Sequence, residues 1–249
     1  MIRVYACLLL LLSAIVTSAH AGVVMLGTRV IYPENSAFAQ VRFDNKDAQS
    51  HLMQVWVDDG KGVPPADGAR VPFVVTPPIF KINGKSQQTV RIVMGKGQSL
   101  PSDRETLYWF NFLQIPPAPQ SGEDSSSKVS LAFLNQVKLI YRPNGIAGRV
   151  ENLPNNLTFS LKRTGRGWRL TATNPTGYYA TFMNKAQISA AGKSHSVTLQ
   201  PEVTLAPFSS LSWDIGLKAS SLSNARISYA LINDKGAQTD AVQTIGQSQ

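Results

Sequence analysis

Hydrophobic and polar residues alternate with a period of two along most of this chain. In AFAQVRF, Ala39, Val41 and Phe43 share one face; in TVRIVM, Val90, Ile92 and Met94 do so; in RGWRLTA, Trp168 and Leu170 do so. Every second side chain of a pleated strand points the same way, so these runs predict half-buried β-strands. Helical periodicity is almost absent. Turn signals at Asp44-Asn45, Asn83-Gly84, Pro143-Asn144-Gly145 and Asp234-Lys235-Gly236 separate the runs. About seven strands precede Pro143 and about seven follow Asn155, which predicts an all-β chain of two immunoglobulin-like β-sandwich domains.

The break between them falls at RPNGIAG, residues 142–148. Pro143 cannot donate a ladder hydrogen bond and Asn144-Gly145 readily takes positive φ, so the strand must stop there. The expected domains are 22–143 and 144–249. A second interruption, PPAPQSGEDSSSK at 116–128, is rich in proline, glycine and serine. It reads as a loop rather than a linker, because a strand must still follow it to complete the first sandwich.

That strand lies in KVSLAFLNQVKLIYRPNGI, residues 128–146. On a regular strand Val129, Leu131, Phe133 and Val137 project one way, and Ala132 and Leu134 the other. Apolar residues on both faces predict burial on both. Two readings stay open: a central strand covered within its own domain, or a strand with one apolar row left for a partner. Lys138 enters just where the segment becomes most apolar.

The chain begins MIRVYACLLLLLSAIVTSAHA, with Arg3, an apolar run from Leu8 to Val16, and Ala19-His20-Ala21 as a small-x-small cleavage site. This is the pattern of a secretory signal peptide over residues 1–21. The run is shorter than the ~20 apolar residues a membrane span needs, and no later segment approaches that length, so no membrane insertion is expected. Cleavage removes Cys7, the one cysteine, and leaves a chain that must rely on its hydrophobic core. It also takes the net charge from +9 to +8. The cations are scattered singly with no Lys/Arg block, which argues against nucleic acid and for solubility and acidic partners.

Catalytic patterns are missing. His51 and His195 survive processing but sit in dissimilar surroundings, and without cysteine a soft-metal site has almost no ligands. No G-x-S-x-G, H-E-x-x-H or complete P-loop occurs, and Asp58-Asp59 reads as a solvated turn. The expectation is a non-enzyme without cofactor or metal.

A series of motifs then carries a family resemblance: TRVIYPENS, TPPIFKI, LPSDRETLYWFNFLQIPP, NQVKLIYRP, TNPTGYYATF and LINDKGAQ, in that order, from about residue 28 to 240. Together they resemble the periplasmic chaperones of the chaperone–usher pilus pathway, the PapD-like family. The resemblance implies two immunoglobulin-like domains set at an angle around a cleft. It also implies a non-catalytic role in holding pilus or fimbrial subunits whose own sandwich lacks a strand, until an outer-membrane usher receives them. Such strand addition joins main-chain hydrogen bonds to side-chain pockets.

By the same resemblance, Arg29 and Lys138 match the cations that anchor the subunit's terminal carboxylate. Val129, Leu131 and Phe133, with Val137 beyond them, match the donor strand. Arg91, Glu105 and Arg142 match a buried ionic cluster between the domains. Phe133 stands where an aliphatic residue is expected, which implies a roomier receiving groove. Lys138 differs in parity from Val129, so a bulge or a curved cleft is expected between them. The moderate loop and the absence of a cysteine pair resemble the short-loop branch that assembles rod-like pili, and self-association of the free chain is expected through its uncapped apolar edge. The competing class, a secreted two-sandwich adhesive module, predicts exposed aromatics clustered on loops. Trp56, Trp109 and Trp168 lie instead within alternating strands.

Overall fold

Among the described residues, nine strands form from the first half: Val23–Met25 (β1), Arg29–Pro33 (β2), Ala39–Asn45 (β3), His51–Asp58 (β4), Phe73–Thr76 (β5), Ile79–Ile82 (β6), Gln87–Met94 (β7), Thr106–Ile115 (β8) and Phe133–Arg142 (β9). They make a four-stranded sheet in the order β1-β3-β7-β5 and a five-stranded sheet in the order β2-β9-β8-β4-β6. The computed structural model describes residues 22–60, 71–95, 97, 99–117, 131–165, 167–217, 222 and 224–247. The signal-peptide segment and most of the 116–128 loop lie outside them.

The alternating residues meet between the two sheets. Val41 and Phe43 from β3, with Val90 and Ile92 from β7, face Met53, Val55 and Val57 from β4 and Phe110 and Phe112 from β8. Phe43 is fully buried and stands edge-on to Phe112 at 5.2 Å. Each such side chain contributes about 1.5–3 kcal/mol by leaving water. Two of the turn signals close one end together, since Asn45 Nδ2 donates to the carbonyl oxygens of Gln49 and Asn83 at 2.8 and 3.0 Å.

The second half contributes Thr158–Thr164 (β10), Gly167–Asn174 (β11), Ala180–Thr181 (β12), Lys185–Ala190 (β13), Lys193–Thr198 (β14), Thr204–Leu205 (β15), Ser209–Ile215 (β16), Arg226–Ile232 (β17) and Gln238–Gln247 (β18). Seven form one sheet in the order β14-β13-β17-β18-β10-β11-β16, and β12 pairs with β15. The core gathers Phe159, Phe182, Trp213 and Tyr229, with the Phe182 and Trp213 rings edge-on at 5.3 Å. Each half holds more than the seven strands predicted, because pieces as short as β1, β12 and β15 have too few residues to show alternation.

Between β9 and β10 the chain makes a 3-10 turn at Val150–Asn152 and a one-turn helix at Leu153–Asn156. The turn before them needs Gly145, where a Cβ would lie 2.5 Å from the Ser102 carbonyl oxygen. Among the described residues no helix is long and apolar enough to cross a membrane.

Candidate functional site: a cationic cleft beside an open strand edge

Strand β9 lies between β2 and β8, but the two neighbours do not cover the same length of it. Pairing with β8 runs without interruption from Gln114 opposite Phe133 to Thr106 opposite Tyr141. Pairing with β2 is parallel and starts only at Arg29 opposite Lys138, ending at Pro33 opposite Arg142. Among the described residues, β9 therefore has a partner on one side and an open edge on the other from Phe133 to Val137. The cause lies in the path of residues 23–29. Val23–Met25 pairs with β3 in the opposite sheet, and the chain crosses over through Gly27, at φ +103°, to enter β2.

The open segment is exposed. Leu131, Phe133 and Leu134 keep 61%, 57% and 49% of their surface in water, whereas Val137, Leu139 and Tyr141 reach the core. Of the two open readings, coverage within the chain's own domain therefore fails for this segment, and an uncovered apolar row fits it. The apolar row is divided along its length: Val137 serves the chain's own sandwich, and Leu131 and Phe133 run on past its end. Val129 lies outside the described residues. Of the bulge or curved cleft expected between Val129 and Lys138, no bulge occurs among the described residues from Phe133 onward. The register is regular, so Lys138 simply points to the opposite face of the sheet from Phe133.

On that opposite face Arg29 and Lys138 are direct neighbours on adjacent strands. Both are half-buried. Arg29 Nη1 donates to the Ile232 carbonyl oxygen of the second domain at 2.9 Å, while its buried Nε has no hydrogen-bond partner among the described residues. The Lys138 ammonium stands 5.5 Å from the centre of the Trp109 ring. Among the described residues neither cation is ion-paired to a carboxylate. Burial, above all, lowers the pKa of both groups. Asp234 and Glu105 oppose the shift at Arg29; at Lys138 the neighbouring Arg29 deepens it and Glu202 opposes it. Two like charges side by side repel, so the pair costs stability unless an anion joins it. A carboxylate placed there would gain charge-assisted hydrogen bonds of about 1.5–3 kcal/mol each.

The joint behind the cleft is ionic. Arg142 Nε donates to Glu105 Oε1 at 2.6 Å, and its Nη1 and Nη2 reach the two Asp234 oxygens at 2.6 and 2.9 Å. Glu105 is 3% exposed, and its Oε2 accepts the Tyr179 N–H at 2.7 Å. Burial pushes the Glu105 carboxyl up against the pull of Arg142 and that N–H. Burial also opposes the Arg142 charge, but Asp234 and Glu105 outweigh it and hold the guanidinium above its ordinary value.

Arg91, expected in this cluster, is not part of it. It sits on β7, in the other sheet, exposed and with its guanidinium 5.0 Å from the centre of the Phe38 ring. Its place is taken by Asp234, from the turn between β17 and β18. Gly236 of that turn has φ +77°, and a Cβ there would fall 2.3 Å from Thr28 Oγ1, so the turn docks against the start of β2. Gly177 makes the approach on the other side: a Cβ would lie 2.4 Å from the Asp103 carbonyl oxygen and 2.8 Å from Ile146 Cγ2. Gly177→Ala is expected to wedge the joint and cost about 1–3 kcal/mol, read as a lower urea midpoint at unchanged slope.

Between the domains lies a cavity of about 450 Å³, with Ile140, Leu153 and Leu231 on its walls and Arg29, Glu105 and Arg142 at its polar side. It continues the cleft inward. One further placement differs from the sequence reading. Asp58 is buried rather than solvated, its Oδ1 accepting the Gly60 N–H at 2.8 Å and its Oδ2 the Trp56 Nε1–H at 3.3 Å. His51 is buried in bonds to Asp47 and Gln114.

Comparison with known proteins decides the family. Residues 22–147 match the family described as "Pili and flagellar-assembly chaperone, PapD N-terminal domain", and residues 152–243 match "Pili assembly chaperone PapD, C-terminal domain". The chain belongs to the PapD-like pili-assembly chaperones. Among relatives of this chaperone, the probable fimbrial chaperone YadV of Escherichia coli K12 is 34% identical over 221 residues, covering 88% of each chain. The chaperone protein FimB/FhaD of Bordetella pertussis is 34% identical over 232 residues, covering 92% of this chain and 90% of its own. The crystal structure of YadV superposes with a TM-score of 0.75 at 31% identity, covering 90% of this chain and all 100% of that one. Salmonella enterica SafB, solved in complex with the SafA pilin, superposes at 0.70 with 26% identity, covering 92% and 98%.

Proposed function

We propose that this chaperone holds pilus subunits in the periplasm by lending them the open edge of β9, and yields them to an outer-membrane usher. The observation that carries this reading is an open strand edge that ends at two cations without carboxylate partners. A subunit strand laid along Phe133–Val137 would occupy the line that β2 takes up at Arg29. To bring its terminal carboxylate to Arg29 and Lys138 it must run in the direction of β9, parallel to it. Leu131 and Phe133 would then enter the subunit's unfinished core while the carboxylate fixes the register, since a one-residue slip turns every side chain to the wrong face. The arriving negative charge raises the lowered pKa of Lys138 and relieves its repulsion from Arg29.

The signal-peptide pattern and the family support a periplasmic location. Catalysis has no role in this reading, and no cofactor is assigned. In the absence of a subunit, the same edge is open to a second copy of the chain.

Phe133→Asp tests the strand separately from the anchor. The side chain is exposed, so the variant is expected to unfold at the wild-type urea concentration. Burying an aspartate in the subunit's core should weaken capture of a co-expressed pilus subunit by at least about tenfold. Capture at wild-type level would remove Phe133 from the contact.

A further inference from the structure

The anchor lysine is held by an aromatic platform, and the platform is itself held by a turn. Trp109 on β8 lies directly opposite Lys138 on β9 and directly opposite Asp58 on β4. The three side chains therefore project from the same face of the five-stranded sheet. The Lys138 ammonium sits over the Trp109 ring, 5.5 Å from its centre. The far edge of the indole rests on the turn after β4, where a Cβ on Gly60 would come 2.8 Å from Trp109 Nε1 and 2.9 Å from Cδ1. Gly60 has φ +96°, a conformation that favours glycine, and its N–H is tied to the buried Asp58 carboxylate at 2.8 Å. The Asp58-Asp59-Gly60 turn thus fixes where the indole can lie.

Lysine needs such a fix. Its ammonium ends a flexible four-carbon stem, and here the adjacent Arg29 repels it. Without a second group to hold it, the side chain would swing out toward water and leave the cleft with one cation. An indole face attracts an ammonium without neutralising it or occupying its hydrogen-bonding directions toward a ligand. A carboxylate in the same place would cancel the charge that a client must find.

We propose that Trp109 is a positioning residue for subunit capture: its ring holds the Lys138 ammonium in the cleft, and the Gly60 turn holds the ring. The inference rests on the reading of Lys138 as the carboxylate anchor. Trp109→Leu keeps an apolar side chain but removes the π face, whereas Trp109→Phe retains a face. Gly60→Ala displaces the indole from below.

The experiment measures affinity for the major pilus subunit of the same operon in a double-mutant cycle of Trp109→Leu with Lys138→Met, with folding checked by circular dichroism. Trp109→Leu is expected to weaken capture by about tenfold, and Trp109→Phe by much less. In the Lys138→Met background Trp109→Leu should have no further effect, and Gly60→Ala should act only when Trp109 is present. A second readout needs no subunit. With lysines reductively methylated using a carbon-13 label, the Lys138 signal, identified by its loss in Lys138→Arg, should carry an aromatic ring-current shift that Trp109→Leu abolishes. Equal weakening in both backgrounds, or no weakening and no ring-current change, overturns the positioning role and leaves the anchor intact. Full capture by Lys138→Met instead removes the anchor reading itself, and the inference with it.

Discussion

Lys138→Met is expected to lose the captured subunit while the chaperone itself stays folded and unfolds at no lower urea concentration than the wild type. The two halves of this result have one cause. Among the described residues Lys138 has no carboxylate ion-pair partner in the free chain and stands beside Arg29, so its removal ends that repulsion and breaks none of the described ion pairs. In the complex the same substitution leaves a subunit carboxylate in a partly closed cleft with one cation. Removing one partner of such a buried pair costs about 3–5 kcal/mol, a loss of at least about a hundredfold in affinity. Arg29→Ala should lose the subunit too, but not as cleanly. Its Nη1 is bonded to the Ile232 carbonyl oxygen of the second domain, so the joint should loosen as well. Affinity and urea unfolding measured on both variants separate the two roles. A drop in stability for Lys138→Met would mean that its contact with the Trp109 ring outweighs the repulsion from Arg29.

Glu105→Ala is expected to give the largest loss of stability, about 3–5 kcal/mol. The substitution leaves the Tyr179 N–H without its acceptor and the partly buried Arg142 with Asp234 alone. Urea unfolding should show the loss, together with a change in the scattering radius as the domains gain freedom to move. Unchanged stability would mean that the joint is held by its apolar contacts. The pH dependence follows from the raised carboxyl of Glu105, which burial dominates. The folded chain keeps this proton at a pH where the unfolded chain has released it. That contribution is fully present below the ordinary carboxylate range and is lost as pH rises through the elevated pKa. Glu105→Gln, neutral throughout, should remove that part of the slope of stability against pH.

The strands and both sandwiches were legible because alternation is a local signal that burial between two sheets makes obligatory. Val41, Phe43, Val90 and Ile92 could be assigned to one core from their spacing alone. Arg29 with Lys138 and Glu105 with Arg142 came from motif resemblance, and the structure brings each pair together. Arg91 was misplaced because no local rule says to which sheet a strand belongs. Asp234 was visible only as part of a turn signal, and its role depends on that turn docking against the start of β2. The division of β9 was hidden for a similar reason. Apart from Asn135, every second residue from Leu131 to Tyr141 is apolar, whereas the open edge is set by where β2 begins, a hundred or so residues earlier in the chain. Trp109 gave no signal either, because its partners Lys138 and Gly60 come from other elements.

The central claim is that the open half of β9 becomes a paired strand in a partner's sheet, and amide hydrogen exchange of Phe133 to Val137 with and without the pilus subunit tests it most directly. The account predicts strong new protection confined to the N–H groups that face the open edge, with exchange in the stretch already paired to β2 little altered. A complex that forms while those edge amides keep exchanging as in the free chain would contradict it.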